Sequence, residues 1–224
     1  MIARLLIQNV IWIVGMGAVL FASAGTWHWI AAWVFLATMA VTGLAAGLWL
    51  ARIDPALLRE RMNSMMQGGQ PASDKIFVVV FGIVALSWFI LIGFEHRVSP
   101  SGMPTALQIL GLLLLVLSTV FVLWVMRENS FAAPVVKIQA ERGHHVISTG
   151  PYAWVRHPMY SGTIFFFTGV PLLLGSWWGL ILAPLFVVLF GFRARLEERA
   201  LVAGLPGYAD YLARVRYRIV PGIW

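Results

Sequence analysis

Four uninterrupted apolar runs dominate the first half of the chain: Leu5–Ala24, Ile30–Leu50, Ile76–Phe94 and Leu107–Met126. None contains Asp, Glu, Lys or Arg. Each reaches the length of about 20 residues that a helix needs to cross roughly 30 Å of hydrocarbon. Two shorter runs follow, Tyr160–Leu174 and Trp177–Phe192, joined by Gly175-Ser176. They predict a helical hairpin with Trp177 and Trp178 at its tip. The expected fold is an all-α integral membrane protein of about six transmembrane helices, four long and then the short pair. Leu5–Ala24 is too long for the apolar core of a signal peptide, and no small-residue cleavage site follows it clearly.

The charges orient this arrangement. With six crossings, the even-numbered loops share one side with both termini. That side holds every Lys and Arg of the 16 except Arg97. The positive-inside rule therefore predicts that both termini lie in the cytoplasm. If the last pair only re-enters the membrane, the sidedness is unchanged.

Composition narrows the function. The 224 residues are 60% apolar and 11% charged, against about 25% charged in an ordinary soluble domain. Fourteen Phe and 11 Trp exclude a disordered chain. Cys is absent, which excludes a disulfide scaffold, a zinc-thiolate site, an iron–sulfur cluster and a cysteine nucleophile. The net charge of +7 is expected to face anionic lipid and not nucleic acid.

The polar residues cluster in two places. Residues 127–157 form a connection that is long for a loop without function, and it carries His144, His145 and His157, three of the five histidines. Arg142-Gly143 and Ser148-Thr149-Gly150-Pro151 divide it with turns. Pro158 fits the first position of the fifth helix, where its missing N–H costs nothing. The free N–H groups of that helix start could seat a carboxylate or phosphate; the plainer reading is that His157 and Pro158 only begin a transmembrane helix. After the sixth run, a helix continuing outward places Arg193, Glu197 and Leu201 on one face, with Arg195 and Glu198 pointing elsewhere. Such a run is usually a solvated, salt-bridged face. Arg193, however, adjoins the apolar run, where a charge is costly without a partner or ligand. Gly204 and Pro206 supply the stop. Beyond them, the apolar spacing of Tyr208, Tyr211, Leu212 and Val215 predicts an amphipathic helix that caps these clusters or anchors in headgroups.

Other chemistries fall away. Gly15-Met16-Gly17 lacks the third glycine and strand context of a dinucleotide fold, and no Walker motif occurs. There is no H-x-x-x-H pair for a membrane di-iron centre, and His144, His145 and His157 lack supporting ligands, so no metal site is expected. The absence of charge within the first four runs argues against an ion-coupled transporter.

The string Gly150-Pro151-Tyr152-Ala153-Trp154-Val155-Arg156-His157-Pro158-Met159-Tyr160-Ser161-Gly162, followed by Glu197-Glu198-x-x-Leu201 and Tyr208-x-x-Tyr211, resembles the isoprenylcysteine carboxyl methyltransferases. These group with the phospholipid methyltransferases and related bacterial membrane methyltransferases. The resemblance covers roughly Lys137 to Trp224. The apolar runs make residues 1–126 a four-helix transmembrane region, and the resemblance makes 127–224 a catalytic region, expected in a bacterial inner membrane. The resemblance also implies S-adenosyl-L-methionine in a cytoplasmic pocket without a Rossmann domain, and a lipophilic acceptor entering between helices. By the same resemblance, cofactor contacts fall on Lys137, His144, His145, Val146, Ile147, Tyr152, His157, Pro158, Met159, Tyr160 and Glu197. Arg193 matches the arginine expected near the acceptor carboxylate. Lys137 is a departure, standing where the eukaryotic enzymes have a polar contact.

Elementary chemistry is compatible. Methyl transfer needs an in-line approach at about 3–3.5 Å, so positioning supplies much of the catalysis. A carboxylate acceptor is already ionised at neutral pH and needs no general base. Arg193 could hold it through a bidentate pair. Glu197 could accept from the cofactor's ammonium or ribose, while Tyr152 and Tyr160 could enclose adenine or the sulfonium. Two other readings stay open. One is an NADPH-dependent membrane reductase of related architecture, with Lys137 and Arg142 for a 2′-phosphate; the other is a non-catalytic membrane adaptor. Among acceptors, a prenylcysteine, a phospholipid amine and a small thiol are all compatible with the residues.

Overall fold

The computed structural model of the protein describes residues 1–100 and 102–224. Among the described residues the long helices are α1 (Ile2–Ala24), α2 (Ile30–Ile53), α4 (Ala72–Val98), α5 (Thr105–Glu128) and α7 (Trp177–Gly204). All five are long and apolar enough to cross a membrane. The shorter helices are α3 (Pro55–Arg61), α6 (Pro158–Leu174) and α8 (Tyr208–Arg214). Helix α6 is apolar too, and its 17 residues extend for about 25 Å. Every apolar run of the sequence lies within one of these helices.

Helix α6 is held by close backbone contact with α5. A Cβ on Gly111 would lie 2.7 Å from the carbonyl oxygen of Gly169, and one on Gly169 would lie 2.8 Å from that of Gly111. Ser118 Oγ donates to the Gly162 carbonyl at 2.9 Å. Small residues at the crossing let two backbones touch where apolar burial gives no net drive. Helix α7 is fixed to α4 at the end of the bundle that carries Arg97, opposite the other basic residues. There the buried Glu95 accepts from Ser176 Oγ and from the backbone N–H groups of Trp177 at 3.2 Å and Trp178 at 3.1 Å. Trp88 Nε1 donates to the Gly179 carbonyl at 2.9 Å. A carboxylate at a helix N-terminus satisfies otherwise orphaned donors and complements the dipole. Between these ends Phe167 stacks on Phe186 with centroids 3.8 Å apart.

The basic end is more elaborate than the apolar pattern predicts. Asp54 caps α3 by accepting from Leu57 N–H at 2.9 Å, with Pro55 in the first turn. Leu57, Leu58 and Met62 then pack against Leu5, Leu50 and Met126. The chain after α8 pairs with the segment leading into α6: Arg156 N–H donates to the Tyr217 carbonyl at 2.9 Å and His157 N–H to that of Arg218 at 2.8 Å. The apolar face of α8 turns inward, since Tyr208, Tyr211 and Val215 are buried with Leu205. Anchoring in headgroups is the simpler expectation for such a tail; it caps the polar clusters instead, because its apolar face packs on Leu205 and its extension pairs with residues 156–157.

Candidate functional site

A cavity of about 550 Å³ opens at the basic end, bounded by α3, α4, the 129–157 connection, α6, α7 and α8. Its volume lies within the range of small-molecule sites. Lys137, His144, His145, Val146, Ile147, Tyr152, His157, Met159, Tyr160, Arg193 and Glu197 all border it. Pro158 does not: as the first residue of α6 it is buried. Phe77, Phe81 and Phe190 line a deeper, apolar part between α4 and α7.

The connection wraps the cavity for local reasons. Gly143 takes φ +66° and Gly150 φ +54°, conformations that disfavour other residues; a Cβ on Gly150 would also lie 2.6 Å from Glu128 Cγ. These are the two turns expected from the sequence. Gln139, fully buried, donates through Nε2 to the Phe131 carbonyl at 2.9 Å. Phe131 in turn stacks on His144 with centroids 4.5 Å apart. Asn129 Nδ2 donates to the Tyr152 hydroxyl at 2.8 Å, and burial pushes that phenol's pKa up.

Two adjacent carboxylates organise the polar wall. Tyr160 donates its hydroxyl to Glu197 Oε2 at 2.6 Å, and His157 Nδ1 lies 3.5 Å from the same oxygen. Glu197 Oε1 has no hydrogen-bond partner among the described residues. Glu198 points to the other side, as the helical spacing expects, yet it is buried. It accepts from Arg156 Nη1 at 3.1 Å and from Arg218 Nε at 2.9 Å, and His157 Nε2 stands 3.4 Å away. His157 is therefore held between two acids. Burial alone would lower its pKa, but the two flanking carboxylates outweigh burial and raise it above the ordinary value.

Arg193 is buried and already partnered. Its Nε donates to Asp74 Oδ1 at 3.0 Å, and Nη2 donates to the Pro134 carbonyl at 2.6 Å. Asp74 also accepts from Gln70 Nε2 at 2.7 Å and from Val136 N–H at 2.9 Å. Arg193 Nη1 is left without a hydrogen-bond partner among the described residues. Lys137 forms a 2.6 Å ion pair with Glu60. Arg61 and Asn129 border the cavity, and Asp74 and Glu60 stand behind it as the partners of Arg193 and Lys137; no motif in the sequence marks any of the four.

A family match begins in α5 and ends just after α7. Residues 106–205 match the phospholipid methyltransferase family. A protein-S-isoprenylcysteine O-methyltransferase of Saccharomyces cerevisiae is 35% identical over 90 residues, which cover 36% of this chain and 35% of that protein. The chain thus matches about a third of that relative's length. The family resemblance read from the sequence is borne out over residues 106–205, which include His157, Tyr160, Arg193 and Glu197, while Tyr208 and Tyr211 lie beyond the match. Arg61 and Asp74 lie outside it.

Proposed function

We propose that this chain is a membrane-embedded methyltransferase that uses S-adenosyl-L-methionine to methylate a lipophilic acceptor, an isoprenylcysteine-type carboxylate, at the cytoplasmic face. The observation that carries this reading is a single cavity with an open carboxylate oxygen on Glu197 at its polar wall and a phenylalanine-lined continuation between the helices. The residues fit the donor. Glu197 offers an acceptor for an ammonium or a ribose hydroxyl, and the rings of Tyr160, Tyr152 and Phe131 offer faces for adenine or a sulfonium. When bound, S-adenosyl-L-methionine supplies a methyl group activated by the adjacent sulfonium.

The protein's own work is positioning and exclusion of water. Tyr160 and His157 hold Glu197 in one orientation, and Glu198, through Arg156 and Arg218, locks the chain after α8 over the site. Arg193 meets the acceptor carboxylate through Nη1 alone and not through a bidentate pair, because Asp74 holds its Nε and the Pro134 carbonyl its Nη2. A carboxylate acceptor attacks without losing a proton, so no base is required. Phe77, Phe81 and Phe190 give the acceptor's apolar chain a dry path.

The reductase reading loses its main support. Lys137 is paired with Glu60, and Arg142 donates to Gln139 Oε1 at 2.5 Å and lies 4.0 Å from Asp54, so neither basic residue is set aside for a 2′-phosphate. Thermal melting of the purified protein with S-adenosylhomocysteine or NADPH tests the choice. A ligand at one hundred times its dissociation constant adds about 2.7 kcal/mol. S-adenosylhomocysteine is expected to raise the melting temperature and NADPH to leave it unchanged. Stabilisation by NADPH alone would overturn the methyl-transfer reading, and stabilisation by neither would favour an adaptor.

A further inference from the structure

Four Lys and Arg side chains border the cavity: Arg61, Lys137, Arg156 and Arg193. Three have an acid close by, with Lys137 at 2.6 Å from Glu60, Arg156 at 3.1 Å from Glu198 and Arg193 at 3.0 Å from Asp74. Arg61 has none within 4.0 Å among the described residues. Its Nη1 donates to the Ala132 carbonyl at 2.8 Å and touches Met159 Sδ at 3.9 Å. Its Nε and Nη2 make no hydrogen bond among the described residues. Arg61 is half-buried, and a guanidinium drawn partly out of water is costly unless an anion or a full set of acceptors meets it. The C-terminal end of the short helix α3 favours a cation, but only by a few tenths to about 1 kcal/mol. Burial pulls the Arg61 pKa down to about 10, which leaves it charged at neutral pH.

We propose that Arg61 is an anion-recognition residue of this cavity and takes a carboxylate from one of the two reactants. The inference rests on the methyl-transfer reading and adds to it a residue from outside the matched span. The carboxylate has two sources, the amino-acid end of the donor and the anionic head of the acceptor. On the donor, carboxylate and ammonium sit on one carbon, and the wall offers a counterpart to each: the unbonded nitrogens of Arg61 and the open Oε1 of Glu197. Met159 links the two, because its sulfur meets Arg61 while its neighbour Tyr160 bonds Glu197. The planar guanidinium fork suits a carboxylate better than a point charge does.

The test compares two probes on purified full-length protein in detergent. S-adenosylhomocysteine carries the amino-acid end, and 5′-methylthioadenosine shares the nucleoside but lacks it. If the donor is the source, Arg61→Gln is expected to weaken S-adenosylhomocysteine by roughly ten- to a hundredfold and to leave 5′-methylthioadenosine within about twofold. If the acceptor is the source, S-adenosylhomocysteine binding holds and KM for a prenylated N-acetylcysteine rises about tenfold at unchanged kcat. Equal losses for both probes would assign Arg61 a structural role and overturn the proposal. So would unchanged binding together with unchanged KM. The ratio of the two affinities within one variant does not depend on the fraction folded. Arg61→Lys, which keeps the charge and loses the fork, carries the same test should the Gln variant not fold: an altered ratio or a raised KM supports the proposal, and no change in either overturns it. Wild-type protein that binds neither probe fails the functional reading itself, a result distinct from a wild type that binds and a variant that matches it.

Discussion

Tyr160 donates its hydroxyl hydrogen to Glu197 Oε2 across 2.6 Å, joining the first turn of α6 to the extension of α7 beyond the membrane run. The contact unites the two polar clusters of the sequence, which are 37 residues apart at this pair. It also leaves Glu197 with one committed oxygen and one open one. The account of the site depends on that asymmetry.

Replacing Tyr160 with Phe removes the bond while keeping the ring. A hydrogen bond to a charged group contributes roughly 1.5–3 kcal/mol, and Glu197 retains His157 as a second partner. The variant is expected to lose about 1.5 kcal/mol of stability and to bind S-adenosylhomocysteine about tenfold more weakly by calorimetry. Unchanged affinity would detach Tyr160 from the orientation of Glu197.

His157 makes stability depend on pH. Its pKa in the folded protein lies above the unfolded value of about 6.5, because the nearby Glu197 and Glu198 carboxylates outweigh burial. A raised pKa stabilises the fold fully below the unfolded value, and that contribution is lost as pH rises through the folded value. The gap in melting temperature between wild type and His157→Gln is therefore expected to be largest near pH 6 and to narrow at higher pH. A gap that widens with pH would contradict the assignment.

The α5–α6 crossing gives a packing prediction. In Gly111→Ala the new methyl would meet the Gly169 carbonyl at 2.7 Å, a backbone atom with little freedom to move. Overpacking of this kind costs about 1–3 kcal/mol. Gly82→Ala, where nothing lies within 4 Å of the added atom, is the control and should melt like wild type. Melting in detergent decides it, and equal values for the two variants would mean that the helices do not touch there.

The Asp74–Arg193 pair is expected to behave as one unit. Removing either member leaves a buried charge, and such losses cost about 3–5 kcal/mol. Asp74→Asn and Arg193→Gln should each melt well below wild type, and the double variant should be more stable than the sum of the single losses implies. Additive losses would show that the two side chains do not share one environment. Arg193→Ala alone would mix this structural cost with any effect on acceptor binding.

Much of this was legible in the residues. Run lengths without charge located α1, α2, α4 and α5, whereas α7, expected as one arm of a short hairpin, runs for 28 residues because its helix continues past the apolar run to Gly204. The Gly143 and Gly150 turns are where the dipeptides place them. The spacing of Arg193 and Glu197 put both on the cavity side of α7. What stayed hidden depends on tertiary contact. Helix α3 is a seven-residue helix with only Asp54-Pro55 to announce it, too short for a periodic pattern. Asp74 reads as the first turn of α4, and only the fold carries Val136, 62 residues away, to its carboxylate. Arg61 reaches the Ala132 carbonyl across 71 residues. Glu95 looks like the solvated end of an apolar run until Ser176 and the start of α7 close over it. Charged residues next to apolar runs have the same sequence signature whether they face water or a partner; burial separates them.

Calorimetric titration of S-adenosylhomocysteine into purified wild type and Glu197→Ala tests the central claim most directly. Saturable binding to wild type, and none detectable to a variant that still melts cooperatively, is the predicted result. Wild-type affinity in Glu197→Ala would contradict it.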